Sequence, residues 1–237
     1  LSELFGLDRA LSAWNSVFGS VGTQSQTAQA GSILSNGLVG HWTYDEGSGM
    51  TTADSSGNGN MGTRINNPTW TAGYVGSGAR YFDGVDDYVD VPNTVLNPSE
   101  GTVVLWMKTP SHFTGDLGTR LAFGNAQTSG GNRVYLGYTS TGKLVAALDE
   151  LGNILGSQLA KDTWYHVALV WRTNGTGELF LNSVSDAVAS SLTFVSSIQY
   201  KVSIGSYSEG YDSRYQGTLD DVRVYDRALS VSEVWDL

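Results

Sequence analysis

The chain has no cysteine. That excludes a disulfide framework and any thiolate metal centre, while saying nothing about compartment. Proline is scarce, at 4 residues in 237. Histidine is scarcer, and His41, His112 and His166 are too scattered to form a zinc site. None of the three sits beside Ser or Cys in a nucleophile-elbow context. Positive charge is also short: 13 Lys and Arg against 23 Asp and Glu leave a formal net charge of −10. Coulomb steering therefore has the wrong sign for nucleic acid or anionic lipid. No apolar run approaches the roughly 20 residues that span a bilayer. A basic segment followed by an apolar stretch and a small-residue cleavage site is also missing, so a mature or trimmed chain is expected.

What remains is rich in glycine, with 30 residues, and in Ser, Thr and Asn, while charged residues make up only 15%. This balance predicts many short strands joined by tight turns. Residues 1–21 differ. Leu4, Leu7, Leu11, Trp14, Phe18 and Val21 recur at spacings of three and four, which predicts an amphipathic helix with Gly19 and Gly22 as stop signals. Its apolar seam serves either to dock on its own domain or to self-associate, as in a filament. Residues 22–36 are nearly devoid of apolar side chains at first and read as a flexible or extended linker. The main domain is expected over residues 37–237.

Within that domain, strands are predicted at 38–43, 68–71, 80–82, 88–91, 101–108, 120–124 and 133–138. More follow at 143–148, 164–172, 177–181, 201–205 and 217–225. Residues 102–107 and 165–171 are apolar on both alternating faces, as in mid-sheet strands covered on both sides. Ser230 and Glu233 form a capping box that opens a short final helix ending at Trp235. Two packed sheets fit this order of elements.

The ordered segments Gly37–Gly49, Ala53–Asn60, Tyr81–Val89, Trp164–Ala168, Ser203–Gly205 and Gly217–Ser230 together resemble the laminin-G-like, concanavalin A-like jelly-roll superfamily. The resemblance covers about residues 37–237. It implies an all-β sandwich of two antiparallel sheets, here preceded by the N-terminal helix and linker. It also implies a secreted or cell-surface module for non-catalytic binding or adhesion, with glycan or matrix protein as partner and one structural Ca²⁺. One departure stands out: Phe180-Leu181-Asn182-Ser183 occupies the place of a frequent Tyr-x-Asp-Gly turn.

Asp54-Ser55-Ser56-Gly57-Asn58-Gly59-Asn60 offers a carboxylate, amides and turned-out carbonyls, the hard ligands calcium prefers. An EF-hand would need a Glu where Ile65 stands. The resemblance nominates Asp220 as the carboxylate from elsewhere, with Asp221 as neighbour. Strand alternation would put Asp220 on the face of Val222 and Val224, where a buried acid needs a cation, an Arg or amide donors. The expected metal set is therefore Asp54, Asn58, Asn60, Asp220 and Asp221. The alternative is a solvated turn, with Asp220 satisfied by backbone amides. Asp83, Asp86, Asp87 and Asp90 around Gly84 read as a capped hairpin turn.

Trp106, Trp164 and Trp171 lie in or beside apolar strands and are expected in the core, with Trp42 and Trp70 also structural. Tyr207, Tyr211 and Tyr215 sit in a polar, glycine-hinged stretch and are the candidate ligand-binding aromatics. The alternative is an ordinary long loop. Retaining glycosidases need two closely spaced carboxylates, and no Glu-x-Asp-x-x-Glu pattern occurs, so no enzyme activity is expected. Two functions follow: a calcium-stapled binding module, or a subunit of a surface filament, pilus or fibre assembled through residues 1–21.

Overall fold

The computed structural model describes residues 34–113, 118–125, 133–148, 153–192, 201–207 and 213–237. The helix expected over residues 1–21, and the linker up to residue 33, lie outside the described residues. Gly37–Trp235 forms one compact unit.

The first strands are β1 (Leu38–Trp42), β2 (Thr51–Thr52), β3 (Gly62–Ile65), β4 (Thr69–Thr71), β5 (Ala79–Asp83) and β6 (Tyr88–Val91). Next come β7 (Gly101–Lys108), β8 (Arg120–Asn125), β9 (Val134–Tyr138), β10 (Lys143–Ala147) and β11 (Ile154–Gln158). The series closes with β12 (Trp164–Arg172), β13 (Thr176–Leu181), β14 (Val184–Ala189), β15 (Val202–Ile204), β16 (Gln216–Tyr225) and a helix, α1 (Val231–Trp235). Two antiparallel eight-stranded sheets result. One runs β14-β13-β12-β7-β16-β5-β4 with β1 also on β16, and the other runs β11-β10-β9-β8-β15-β6-β3-β2. The molecule is an all-β sandwich.

The main core lies between the sheets. Val103, Leu105 and Met107 of β7, Val167, Leu169 and Trp171 of β12, and Leu219, Val222 and Val224 of β16 come from one side. Val89, Phe123, Leu136, Leu144 and Ile204 meet them from the other. Each such side chain taken from water contributes about 1.5–3 kcal/mol. The opposite face of β7 and β12 is apolar too. Val104, Ala168 and Val170 pack there under Leu229 and Val234 of the C-terminal segment. This second layer explains why 102–107 and 165–171 are apolar at successive positions. The capping box forms as expected: Glu233 N donates to Ser230 Oγ at 3.3 Å, and Ser230 N to Glu233 Oε2 at 2.8 Å.

β16 is where the structure departs from simple alternation. Its first half, residues 216–219, pairs with β5, and its second half, 222–225, pairs with β1. Asp220 and Asp221 fall in the gap between the two partners, where the register to β7 also shifts and Asp221 takes φ 48°. This bulge corrects the facing of Asp220. Leu219, Val222 and Val224 point into the core, whereas Asp220 pairs with Trp106 on the outer face of the sheet.

Candidate functional site

The outer face of the first sheet carries a row of cross-strand neighbours. Asp220 on β16 faces Trp106 on β7, which faces His166 on β12. One rung further, Lys108 of β7 faces Trp164 of β12. The segment Ala72–Gly78 folds over this row and lays the Tyr74 ring on Trp106, with centroids 3.9 Å apart and planes 23° from parallel. Trp164 lies 5.7 Å from Tyr74, and His166 lies 5.1 Å from Trp106. Together with Asn182, Ser183, Trp235 and Leu237 these groups line a groove of about 500 Å³.

The Tyr74 segment is held by two carboxylates. Asp220 Oδ2 accepts from the amides of Tyr74 at 2.7 Å and Val75 at 2.9 Å. Asp45 Oδ1 accepts from the amides of Ser77 at 2.5 Å and Gly78 at 2.9 Å. Close approach demands glycine at residue 73, where a Cβ would stand 2.9 Å from Asp220 Oδ2 and 2.8 Å from the Val75 carbonyl. At the other end of the groove, Asn182 and Ser183 turn β13 into β14 with φ 50° and 65°. Two successive positive φ values are the geometry of a type I′ hairpin turn, so Asn-Ser performs the reversal where Asp-Gly is frequent. The turn also grips His166. Asn182 Oδ1 accepts from its amide at 3.1 Å, and Ser183 Oγ lies 3.2 Å from its Nδ1. Burial drives the His166 pKa down to about 4, so the ring is neutral at physiological pH.

Trp106 and Trp164 are thus half-buried groove residues, a correction to their expected place in the core. Their strands are apolar on both faces, and these two positions alternate outward, beyond the cover of Leu229 and Val234. Trp42 and Trp171 are fully buried, as expected. Trp70 is half-buried, with the Arg80 guanidinium 3.2 Å over its ring. Tyr215 is a second correction. It is fully buried, packed edge-on to Phe82 and Tyr138, and donates its hydroxyl to the Lys108 carbonyl at 2.9 Å. It presents no ring to solvent. Tyr207 is half-buried against Tyr135 on the other sheet, and Tyr211 lies outside the described residues.

The expected metal ligands do not converge as a set. Asp54 Oδ1 accepts from the amides of His41 at 3.0 Å and Ser56 at 2.9 Å, and its Oδ2 from Asn60 N at 2.8 Å. Burial raises the Asp54 pKa, but the bonds from Ser56, His41 and Asn60 outweigh it and hold the carboxyl below its usual range. Asn58 and Asn60 donate their side-chain amides to the carbonyls of Leu38 and Val39, at 2.8 and 2.7 Å. Trp42 Nε1 donates to the Asn60 carbonyl at 2.9 Å. The loop is therefore sewn onto β1 by its own polar groups.

Asp221 is paired as well, 2.6 Å from His41 Nε2 and 2.9 Å from Arg223 Nη2. Asp220 differs. Its Oδ1 is buried with no hydrogen-bond partner, and burial pushes its pKa up to about 6. Among the described residues, the one trio of acids close enough to share an ion is Asp83, Asp86 and Asp87. These cap their turn: Asp87 accepts from Asn67 N at 2.9 Å and Asp83 N at 3.2 Å, and Asp83 accepts from Val85 N at 2.7 Å. Asp90 is paired separately with Lys201 and Ser203.

The fold is thus a two-sheet β-sandwich with an aromatic groove on the outer face of one sheet. The family model for the concanavalin A-like lectin/glucanases superfamily matches residues 82–235, and the chain belongs to that superfamily. No curated protein matches it. Among solved structures, it is similar to domain 4 of AbnA, a GH43 extracellular arabinanase from Geobacillus stearothermophilus, in complex with arabinotriose. That likeness has 22% identity and a TM-score of 0.66, and covers 84% of this chain and 97% of that one. It is also similar to the binding domain of botulinum neurotoxin serotype D, at 12% identity and a TM-score of 0.67, over 87% of this chain and 51% of that one. A third likeness is to Trypanosoma rangeli sialidase, at 18% identity and a TM-score of 0.65, over 85% of this chain and 32% of that one. The chain thus spans about half of the neurotoxin domain and a third of the sialidase.

Proposed function

We propose that residues 37–237 are a non-catalytic, secreted or cell-surface module that binds glycan in the Tyr74–Trp106–Trp164 groove. The observation that carries this reading is the clustering of three aromatic rings with His166, Asn182 and Ser183 in one open groove. Sugar rings have apolar faces that pack on π faces and a rim of hydroxyls that needs neutral donors and acceptors. Tyr74 remains 54% exposed although stacked, and Trp235 is 67% exposed, so aromatic surface is left for a ligand. The arabinotriose held by the G. stearothermophilus domain supports an oligosaccharide as ligand. Among the described residues, the groove-lining side chains include no carboxylate, which supports binding over glycoside hydrolysis.

A structural Ca²⁺ belongs to this reading in reduced form. Asp220, with its uncommitted buried oxygen in the gap between β5 and β1, is the donor that fits, and the Asp54 loop is not. Assembly into a filament through an amphipathic helix at residues 1–21 is the second reading, supported by the apolar seam of that segment.

Binding is tested by a glycan array followed by calorimetry. Trp164→Ala and Tyr74→Ala are each expected to weaken the best hit roughly tenfold, about 1.4 kcal/mol, with melting temperature little changed. An array blank for every glycan removes the proposal.

A further inference from the structure

We infer that the groove selects uncharged glycans and rejects those carrying carboxylate or sulfate, a selectivity that rests on the glycan-binding reading above. Among the described residues, none of the side chains lining it is Lys or Arg. The cations nearby are already engaged. Lys108, the cross-strand neighbour of Trp164, is 2.7 Å from Asp162. Arg223 is bonded to Asp221 at 2.9 Å, and Arg227 to Glu233 at 2.7 Å beside α1. Lys161 precedes Trp164 in an exposed turn but lines none of the groove. Outside the described residues the sequence holds a single further cation, Arg9.

The acid paired with Trp106 lines none of the groove. Asp220 pairs with Trp106 and is fully buried, with one oxygen unpartnered. An anionic sugar seated on Trp106 would lose hydration without gaining a counter-charge from the lining. His166, the imidazole in the lining, stays neutral above pH 5 because burial lowers its pKa to about 4. It offers a hydrogen-bonding nitrogen rather than a positive charge. At longer range, a net charge of −10 slows the approach of any anion. The polar groups present, the His166 ring, Asn182 and Ser183, match hydroxyls.

The test is a matched-pair array on the full chain at pH 7. Each neutral oligosaccharide is set beside its charged counterpart, such as galactotriose beside trigalacturonate and lactose beside sialyllactose, with calorimetry on the best pair. The neutral member is expected to bind at least tenfold more tightly, and the gap to widen when salt is lowered, since screening weakens repulsion. Equal or tighter binding of the charged member overturns the selectivity while leaving the glycan reading intact. If no member of any pair binds, the glycan reading itself falls, and the selectivity with it.

Discussion

Asp220 and Asp54 carry the same functional group into different environments, and the difference decides what each does. Asp54 spends both oxygens on three amides of its own loop and β1. Asp220 spends one oxygen on Tyr74 and Val75 and leaves the other buried and unsatisfied. An unpaired buried polar atom costs about 1–3 kcal/mol unless something binds it. If a calcium ion fills that role, EDTA lowers the melting temperature of the wild type by several degrees, and Asp220→Ala melts lower and no longer responds. Asp54→Ala also melts lower, by about 1–3 kcal/mol for its lost amide bonds, yet keeps the EDTA response. Wild-type melting that is identical in calcium and after exhaustive chelation sinks the cation. Both acids were legible in the sequence as important, because a glycine-rich loop and an acid beside a buried run each need partners. The facing of Asp220 was not legible. It depends on a bulge at Asp221 with φ 48°, created by the hand-over from β5 to β1, and period-two alternation has no means of foreseeing it. Trp106 and Trp164 were hidden for a related reason: an apolar strand with two covered faces looks the same whether or not the cover is complete.

Among elements, the central strands were the readable ones. β7 and β12 begin and end where their apolar runs do, and β6 matches as well. β2, β3, β11 and β14 were missed. They lie at or next to sheet edges, and their sequences, TT, GTRI, ILGSQ and VSDAVA, show mixed exposure rather than a buried alternation. Edge strands owe their place to hydrogen bonds offered by a neighbour, a signal that hydrophobic patterning does not carry. Interior strands, by contrast, impose demands at single positions. Gly137 on β9 faces Leu121 of β8 so closely that a Cβ would collide with the Arg120 carbonyl and stand 2.8 Å from the Leu121 Cα. Both obstacles are backbone, so relief requires the two strands to part locally. Gly137→Ala is therefore expected to destabilise by about 1–3 kcal/mol, read as a lower denaturation midpoint with an unchanged slope. An unaltered midpoint would mean that β8 and β9 yield without cost. Because this contact is remote from the Tyr74 groove, glycan affinity of the folded variant should be unaffected.

At the scale of the whole molecule, the two ends of the compact unit are adjacent. β1 pairs with β16, the Asp226 amide donates to the Gly37 carbonyl at 2.9 Å, and Thr102 Oγ1 ties β7 to the Arg227 carbonyl at 3.0 Å. Among the described residues, the core of that unit spans both sheets, and the outer layer is closed by Leu229 and Val234. Residues 1–33 lie outside the described residues, and their sequence is what motivates the filament reading. A seam of Leu4, Leu7, Leu11, Trp14, Phe18 and Val21 carries more apolar surface than an exposed segment usually retains, followed by a polar stretch well suited to holding a head at a distance. A chain shortened to residues 37–237 should therefore melt within a few degrees of the full chain and keep its glycan affinity. Light scattering should separate the two, with the full chain growing in mass as concentration rises and the short one remaining a monomer. The alternative use of the seam, docking on its own domain, gives the opposite pattern. Both chains would stay monomeric, and the short one would melt lower by the apolar contact it lost, at about 2–4 °C per kcal/mol for a domain of this size. One pair of samples, measured for mass and melting, thus decides whether the N-terminal segment joins molecules or completes one.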